Sequence, residues 1–390
     1  MTSPTPETLD WLTRLVAFDT TSRTSNLPLL DAVADHLRGL GLTPHLFPTP
    51  DGQKANLVVT LPDAAGGTTG GVMLSGHTDV VPTDGQRWTS DPYTLVERDG
   101  LLYGRGTSDM KGFNACVLAA LPAMLAEPLR EPIHVALSYD EEVGCKGAAP
   151  MVAALAELRL TPAVTFVGEP TSMRMICGHK SINVVRVDLH GVAAHSSLTN
   201  AGVNAIEYAA LVVRFWRERC DRWRAEGPYD DAYPIPYTTG SVNLIAGGNG
   251  VNIIPAEASV TLEFRAIAAD DDAAEIDALR AYCAEIERAM RAEDEAASVE
   301  VVVESSTVGL DTAPDAAAVR LGELLGLEAR PDKVTYGTEA GVYSNAGISA
   351  VVCGPGDIAQ AHKPDEFIDP AQLAECEAFL GRLVAHLRAR

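Results

Sequence analysis

VMLSGHTDVVP, residues 72–82, and LYGRGTSDMKG, residues 102–112, are the stretches on which the fold turns. Val72, Met73 and Leu74 read as a buried strand, and polar residues arrive as it ends. Side chains two apart in a strand share a face, which predicts that His77 and Asp79 point the same way. A histidine beside a carboxylate is either a pH-tuned pair or a metal ligand with the partner that orients it. Asp109 stands in the second stretch among glycines and small residues. These residues alone do not choose between the two readings; further ligands must come from elsewhere in the chain.

The bulk properties narrow the classes. With 390 residues the chain is too long for one compact core, so two domains are expected. Thirty basic against 53 acidic residues give a net charge of −23, which disfavours nucleic acid and anionic membrane as partners. The seven cysteines, Cys116, Cys145, Cys177, Cys220, Cys283, Cys353 and Cys376, are scattered and form no C-x-x-C. That favours a reducing cytoplasm over a disulfide framework or a zinc ribbon. MTSPTPETLDWLTRL lacks the basic start and apolar core of a signal peptide. The apolar run from Cys116 to Ala126 is broken by Pro122 and is too short to span a bilayer, which takes about 20 residues.

Outward from the opening stretches, strand and helix alternate. Helices are expected over 6–18 and 28–40, strands over 56–61 and 72–74, and a loop and hairpin over 84–100. A helix follows Lys111, with Pro122 ending or kinking it. Strand 133–139 runs into Asp140-Glu141-Glu142, helix 148–158 follows, and strand 163–167 leads into Gly168-Glu169-Pro170. This is the order of an α/β sheet covered on both faces. From residue 182 the texture changes to strand 182–189, helix 203–219, strands 241–245 and 258–264, helix 272–291 and strand 299–304. A β-α-β-β-α-β order reads as an inserted α+β, ferredoxin-like domain. The α/β pattern then resumes with helix 314–325, strands 333–336 and 350–353, and helix 370–389. The expected domains are 1–181 and 307–390, two parts of a catalytic metal-binding domain, and 182–306, inserted between them.

Five polar clusters sit just beyond expected strands or in loops: His77/Asp79, Asp109, Glu141/Glu142, Glu169, and Gln360 to Asp365 around His362. Ligands in open α/β sheets gather outside the carboxyl ends of strands, so clusters far apart in sequence can converge. Two histidines with several carboxylates and no cysteine suit zinc or a similar divalent ion. The surplus of carboxylates fits two metals bridged by one of them.

GHTDVVP, GRGTSDMKG, DEEVG, GEPTS and AHKPDEF, in this order, resemble the co-catalytic-zinc amidohydrolases, the family of acetylornithine deacetylase, succinyl-diaminopimelate desuccinylase, aminoacylase and related carboxypeptidases. The resemblance runs from about residue 8 to the C-terminus. It implies a mixed-sheet, zinc-peptidase-like catalytic domain with the insert as lid and dimerisation domain. It implies two divalent ions, zinc or cobalt. His77 and Glu169 would hold the first, Glu142 and His362 the second, with Asp109 bridging. By the same resemblance Asp79 holds the His77 ring, Glu141 is the general base, and a cis peptide follows Asp109. Gly191 to Ser197 resembles the family's G-x-x-x-H-S-S segment, which makes His195 the candidate oxyanion donor. A homodimer is implied, with His195 acting within its own subunit or across the dimer.

Substrate contacts follow from further segments. Residues 247–255 (GGNGVNIIP) and Glu263-Phe264-Arg265 match segments that bind substrate in relatives, which points to Asn252 and Arg265. Arg265 is a fork suited to an α-carboxylate, or else a strand arginine in an ion pair. Lys180 either contacts substrate or snorkels at the domain junction. Glu339 either meets a cationic side chain or sits at a helix N-terminus favoured by the dipole. The segments 336–341, 353–367 and 202–209 most resemble the acetylornithine deacetylase branch, although Ser181 replaces that branch's glycine in H-K-G. The implied reaction is release of acetate from N-acetyl-L-ornithine, in arginine biosynthesis. The alternatives are another N-acyl amino-acid deacylase, a desuccinylase or a dipeptidase and, from a different class, a metal-free binding relative.

Overall fold

A computed structural model describes residues 3–388, so the end of the expected last helix at Ala389 lies outside the described residues. The chain divides into two compact units. One comprises Met1–Gly178, Asp311–Pro331 and Thr338–Arg390; the other comprises His179–Leu310 and Asp332–Gly337.

The first unit is built on a six-stranded mixed sheet. Its strands lie side by side in the order His45–Pro48, Ala55–Leu61, Ile133–Ser138, Val72–His77, Val164–Pro170 and Ser349–Gly354. The first two pairings are antiparallel and the remaining three parallel. The strands Ile133–Ser138, Val72–His77 and Val164–Pro170 are buried along their whole length, as parallel strands covered on both faces must be. Helices Pro6–Val16, Gly112–Leu125 and Pro370–Leu387 pack their apolar sides into the core with Leu12, Leu15, Phe113, Leu121, Phe166, Phe379 and Leu383. Because four neighbouring strands run in one direction, their carboxyl ends open on one edge of the sheet.

The second unit has a four-stranded antiparallel sheet in the order Thr239–Gly247, Glu257–Arg265, Ile182–His190 and Ser298–Thr307. In Ile182–His190 every second residue is buried, and Val185, Val187 and Leu189 pack with Trp216, Leu279 and Ile286 from helices Ala205–Glu226 and Asp272–Glu293. The period of two read from the sequence is the alternation between helix-covered and open faces. Among the described residues no helix is long and apolar enough to cross a membrane.

Two expectations are corrected and a third is narrowed. Helix Gly112–Leu125 runs three residues past Pro122, so of the two expected effects the proline does not have the first, ending the helix. Lys333–Tyr336 forms no strand. It contributes one isolated bridge, Val334 to His179, inside the second unit, being a few residues caught between Pro331-Asp332 and Gly337. Strand Val72–His77 ends at His77, so Asp79 lies beyond it and the two side chains do not share a strand face. Helix Ala340–Asn345 begins directly after Glu339, the helix-terminus alternative for that residue, whereas the edge strand His45–Pro48 was not foreseen.

Candidate functional site

The strands of the first unit place the candidate residues by register. Ser75 pairs with Val167, so two residues further on His77 comes level with Glu169, and His77 itself pairs with Ser138, just before Asp140-Glu141-Glu142. His77 Nε2 lies 3.7 Å from Glu169 Oε1 and 3.0 Å from Asp109 Oδ1. The other oxygen of Asp109 lies 3.3 Å from His362 Nε2, which is 2.9 Å from Glu142 Oε2. Asp109 thus turns one carboxylate oxygen to each of two histidines. The peptide bond from Asp109 to Met110 is cis.

His77, Glu141 and Glu169 offer donor atoms within 4.8 Å of one another, and so do His77, Asp109 and Glu142. The set is nitrogen and carboxylate oxygen throughout, the chemistry of a divalent ion such as zinc. Glu169 Oε1 is buried with no hydrogen-bond partner among the described residues. A bare carboxylate oxygen aimed at a histidine nitrogen in a dry site is what a cation would satisfy. The residues present therefore fit a pair of metal ions.

Burial and mutual repulsion shape the protonation of the cluster. Burial pushes Glu141 and Glu169 well above the usual carboxylate range and Glu142 up to about 7. Burial would also push Asp109 up, but His362 and His77 beside it hold it well down. Burial opposes charge on His77, yet Glu169, Asp109 and Asp79 raise it well above its ordinary value. Asp109 and Glu142 raise His362 to about 10.

Asp79 acts differently from a simple ring clamp. His77 Nδ1 lies 2.9 Å from the backbone carbonyl of Asp79 and 3.5 Å from its carboxylate. The carboxylate accepts the amide N–H of Glu141 at 3.0 Å, the amide of Glu142 at 3.3 Å and the Ser22 hydroxyl at 2.6 Å. It is a hub for the turn that carries the two glutamates. Lys54 supports this turn from outside by donating to the Asp140 carboxylate and the Ser22 carbonyl. The Cys145 thiol donates to Glu141 Oε1 at 3.3 Å.

Glu339 also belongs to this unit and is 1% exposed. The Tyr343 hydroxyl donates to its Oε2 at 3.4 Å, while Oε1 has no hydrogen-bond partner among the described residues. Glu339 stands at the N-cap of Ala340–Asn345 without a side-chain cap bond.

Lys180, His195, Asn252 and Arg265 belong to the second unit. The buried Lys180 donates to the Tyr237 carbonyl and stands 5.6 Å from the Tyr233 ring. Arg265 Nε donates to Glu263 at 2.5 Å and Nη1 to the Thr335 carbonyl at 3.2 Å, the ion-pair alternative of the sequence reading. His195 is exposed on the short strand Ala194–His195, which pairs with Ile253–Ile254, and its Nδ1 lies 2.8 Å from Ser197 Oγ. The Asn252 carbonyl accepts the Ser196 amide at 3.0 Å, joining the two predicted segments.

Sequence reading missed Ser22, Arg105 and Glu366. Arg105 and Glu366 lie inside the quoted motifs, where an arginine between glycines and a second acid after His362 were available signals. For Ser22 there was none.

A profile of the family described as Peptidase family M20/M25/M40 matches residues 73–386. An acetylornithine deacetylase from Myxococcus xanthus is 36% identical over 380 residues, 96% of each chain. One from Proteus mirabilis is 35% identical over 94% of this chain and 92% of its own. Among solved structures, an M20 family metallo-carboxypeptidase from Sulfolobus solfataricus superposes with a TM-score of 0.74 over 97% of this chain and 99% of its own, at 17% identity, a likeness of fold.

Proposed function

The chain belongs to peptidase family M20/M25/M40, and on that premise we propose that it removes the acetyl group from N-acetyl-L-ornithine, giving L-ornithine and acetate, in cytoplasmic arginine biosynthesis. It is a metal-dependent hydrolase. The observation that carries the chemistry is Asp109 between His77 and His362, one oxygen to each. The names and near-complete coverage of the relatives support the substrate.

In this reading His77 and Glu169 would hold one ion and Glu142 and His362 the other, with Asp109 shared between them, and the metal would be zinc or cobalt. Bound there, the ions supply Lewis-acid polarisation of the amide carbonyl and a water of lowered pKa. Glu141 accepts the proton of the attacking water and delivers it to the leaving amine, a task suited to a carboxylate raised by burial. Asp79 fixes the backbone of Glu141 and Glu142 through their amides. His195 supplies a donor to the oxyanion. Asn252 and Lys180 contact the amino-acid portion and Glu339 meets the ornithine ammonium, while Arg265, paired with Glu263, reaches the substrate only by giving up that pair.

The domain roles, expected as catalysis for 1–181 and 307–390 and lid and dimerisation for 182–306, belong to the same proposal, with the second role carried by the unit His179–Leu310 and Asp332–Gly337. Strand Thr239–Gly247 is an edge of its sheet, and Leu244 and Ile245 on it are 67% and 61% exposed. An exposed apolar edge invites pairing with a second copy, which supports a homodimer.

The test is kcat/KM of the zinc- or cobalt-loaded enzyme on N-acetylornithine, succinyl-diaminopimelate, N-acetylmethionine and a dipeptide. N-acetylornithine is expected to lead. A preference for any other overturns the substrate and leaves the hydrolytic site standing.

A further inference from the structure

Glu366 follows His362 closely in sequence and is 1% exposed. Its Oε1 accepts the backbone N–H of Ser108 at 2.9 Å and of Asp109 at 3.1 Å. Its Oε2 accepts the N–H of Gly106 at 3.0 Å and Arg105 Nη1 at 2.7 Å. Arg105, also 1% exposed, donates from Nη1 to the Lys363 carbonyl at 3.3 Å and from Nη2 to Gln86 Oε1 at 2.7 Å. Gln86 closes the circuit by donating from Nε2 to the His362 carbonyl at 3.0 Å.

Two segments distant in sequence, one carrying Asp109 and the other His362, are thus tied together by one carboxylate and one guanidinium. Neither segment holds its shape by regular structure. Asp109 has φ −124° and ψ 91°, outside the helical region, which leaves its amide and that of Ser108 in need of an acceptor. His362 has φ 64°, a left-handed conformation uncommon outside glycine, although histidine takes it more often than most residues. Its side chain is 55% exposed, so packing alone does not fix its direction. The backbone clamps on both sides do.

We infer that Glu366 is a positioning residue for the second metal position: it sets the approach of Asp109 Oδ2 to His362 Nε2, through Arg105 and Gln86. The inference rests on the reading that Asp109 joins two ions. His77 and Glu169 stand on adjacent strands of the sheet and do not depend on this circuit. Loss of Glu366 therefore weakens the second equivalent of metal, two of whose ligands, Asp109 and His362, depend on the circuit, more than the first, which shares only Asp109. A carboxylate that only stabilised the fold would weaken both alike.

The test is cobalt(II) titration of the full-length, metal-stripped protein against a competing chelator, following the d–d absorption bands, with thermal unfolding of the stripped proteins as the folding control. Wild type, Glu366→Gln and Gln86→Ala are compared. In Glu366→Gln the second equivalent is expected to bind at least about 10-fold more weakly, the usual scale for an outer partner of a metal ligand, with the first weakened distinctly less. Gln86→Ala, a change at a half-exposed residue, is expected to move the second equivalent in the same direction by about 3-fold, below the range for a direct ligand partner. It keeps the test open should Glu366→Gln fail to fold. Equal weakening of both equivalents, or no change in either variant, overturns the positioning role. A wild-type chain that takes up a single ion overturns the dinuclear reading itself.

Discussion

The Asp79 carboxylate accepts the amide of Glu141 at 3.0 Å, so the acid beside His77 fixes the turn that carries the candidate base. One residue thereby links His77, a candidate ligand, to the turn of the candidate base. If Glu141 is the base, Glu141→Ala keeps two metal ions per chain and lowers kcat by about 10²- to 10⁴-fold. Because Glu141 also offers an oxygen within 4.8 Å of donor atoms of His77 and Glu169, metal content must be measured on the same sample. Loss of an ion would make it a ligand, and near-normal turnover would remove it from the mechanism.

Ser22 donates to the second Asp79 oxygen at 2.6 Å. A hydrogen bond to a charged group contributes about 1.5–3 kcal/mol. Ser22→Ala is expected to lower kcat by about tenfold, equivalent to roughly 1.4 kcal/mol in the barrier, with KM little changed. Asp79→Asn, which also disturbs both glutamate amides, should cost more. A Ser22→Ala enzyme that loses only KM would place the hydroxyl at the substrate and not behind the base.

Glu339 gives the protein a pH-dependent weakness. Burial raises its pKa from 4.5 to about 7. Below 4.5 the folded and unfolded states both carry the proton and no penalty arises. Between 4.5 and about 7 the unfolded state loses its proton first, so stability falls as pH rises. Above that window the penalty is complete, at most about 3 kcal/mol. Glu339→Gln should therefore raise the Tm of the chelated protein at pH 8, with the gain shrinking towards pH 5.5. An equal gain at both pH values would show that charge is not the cause.

His195 lies in the second unit, on an exposed strand. If it acts across a dimer, inactive His195→Ala and Glu141→Ala subunits mixed after dissociation should regain activity, up to about a quarter of wild type when the proteins mix randomly in equal amounts and one site per hybrid dimer is intact. Mixed dimers with no recovered activity would place His195 in its own subunit's site or outside catalysis.

The convergence of the candidate ligands was legible because it follows from two regularities. Polar residues that break off an apolar strand mark its carboxyl end, and parallel strands bring those ends together. His77, Glu141, Glu142 and Glu169 all follow that rule, and His362 lies beyond strand Ser349–Gly354. What did not follow was local. The chain leaves the strand at His77, so the period-two argument for Asp79 failed one residue later. Glu366 and Ser22 act through partners far away in sequence, on backbone amides and a carboxylate that no pattern reveals. The strand expected over Lys333–Tyr336 pairs with its neighbour at one position, Val334 with His179, and a ladder's length is not something propensity sets.

The most direct test of the account is metal content per chain after saturation with zinc or cobalt and removal of free ion. The account predicts two ions in the wild-type protein and one in His362→Ala, with hydrolysis lost on chelation and restored by metal. One ion or fewer in the wild-type chain, with full activity, would contradict it.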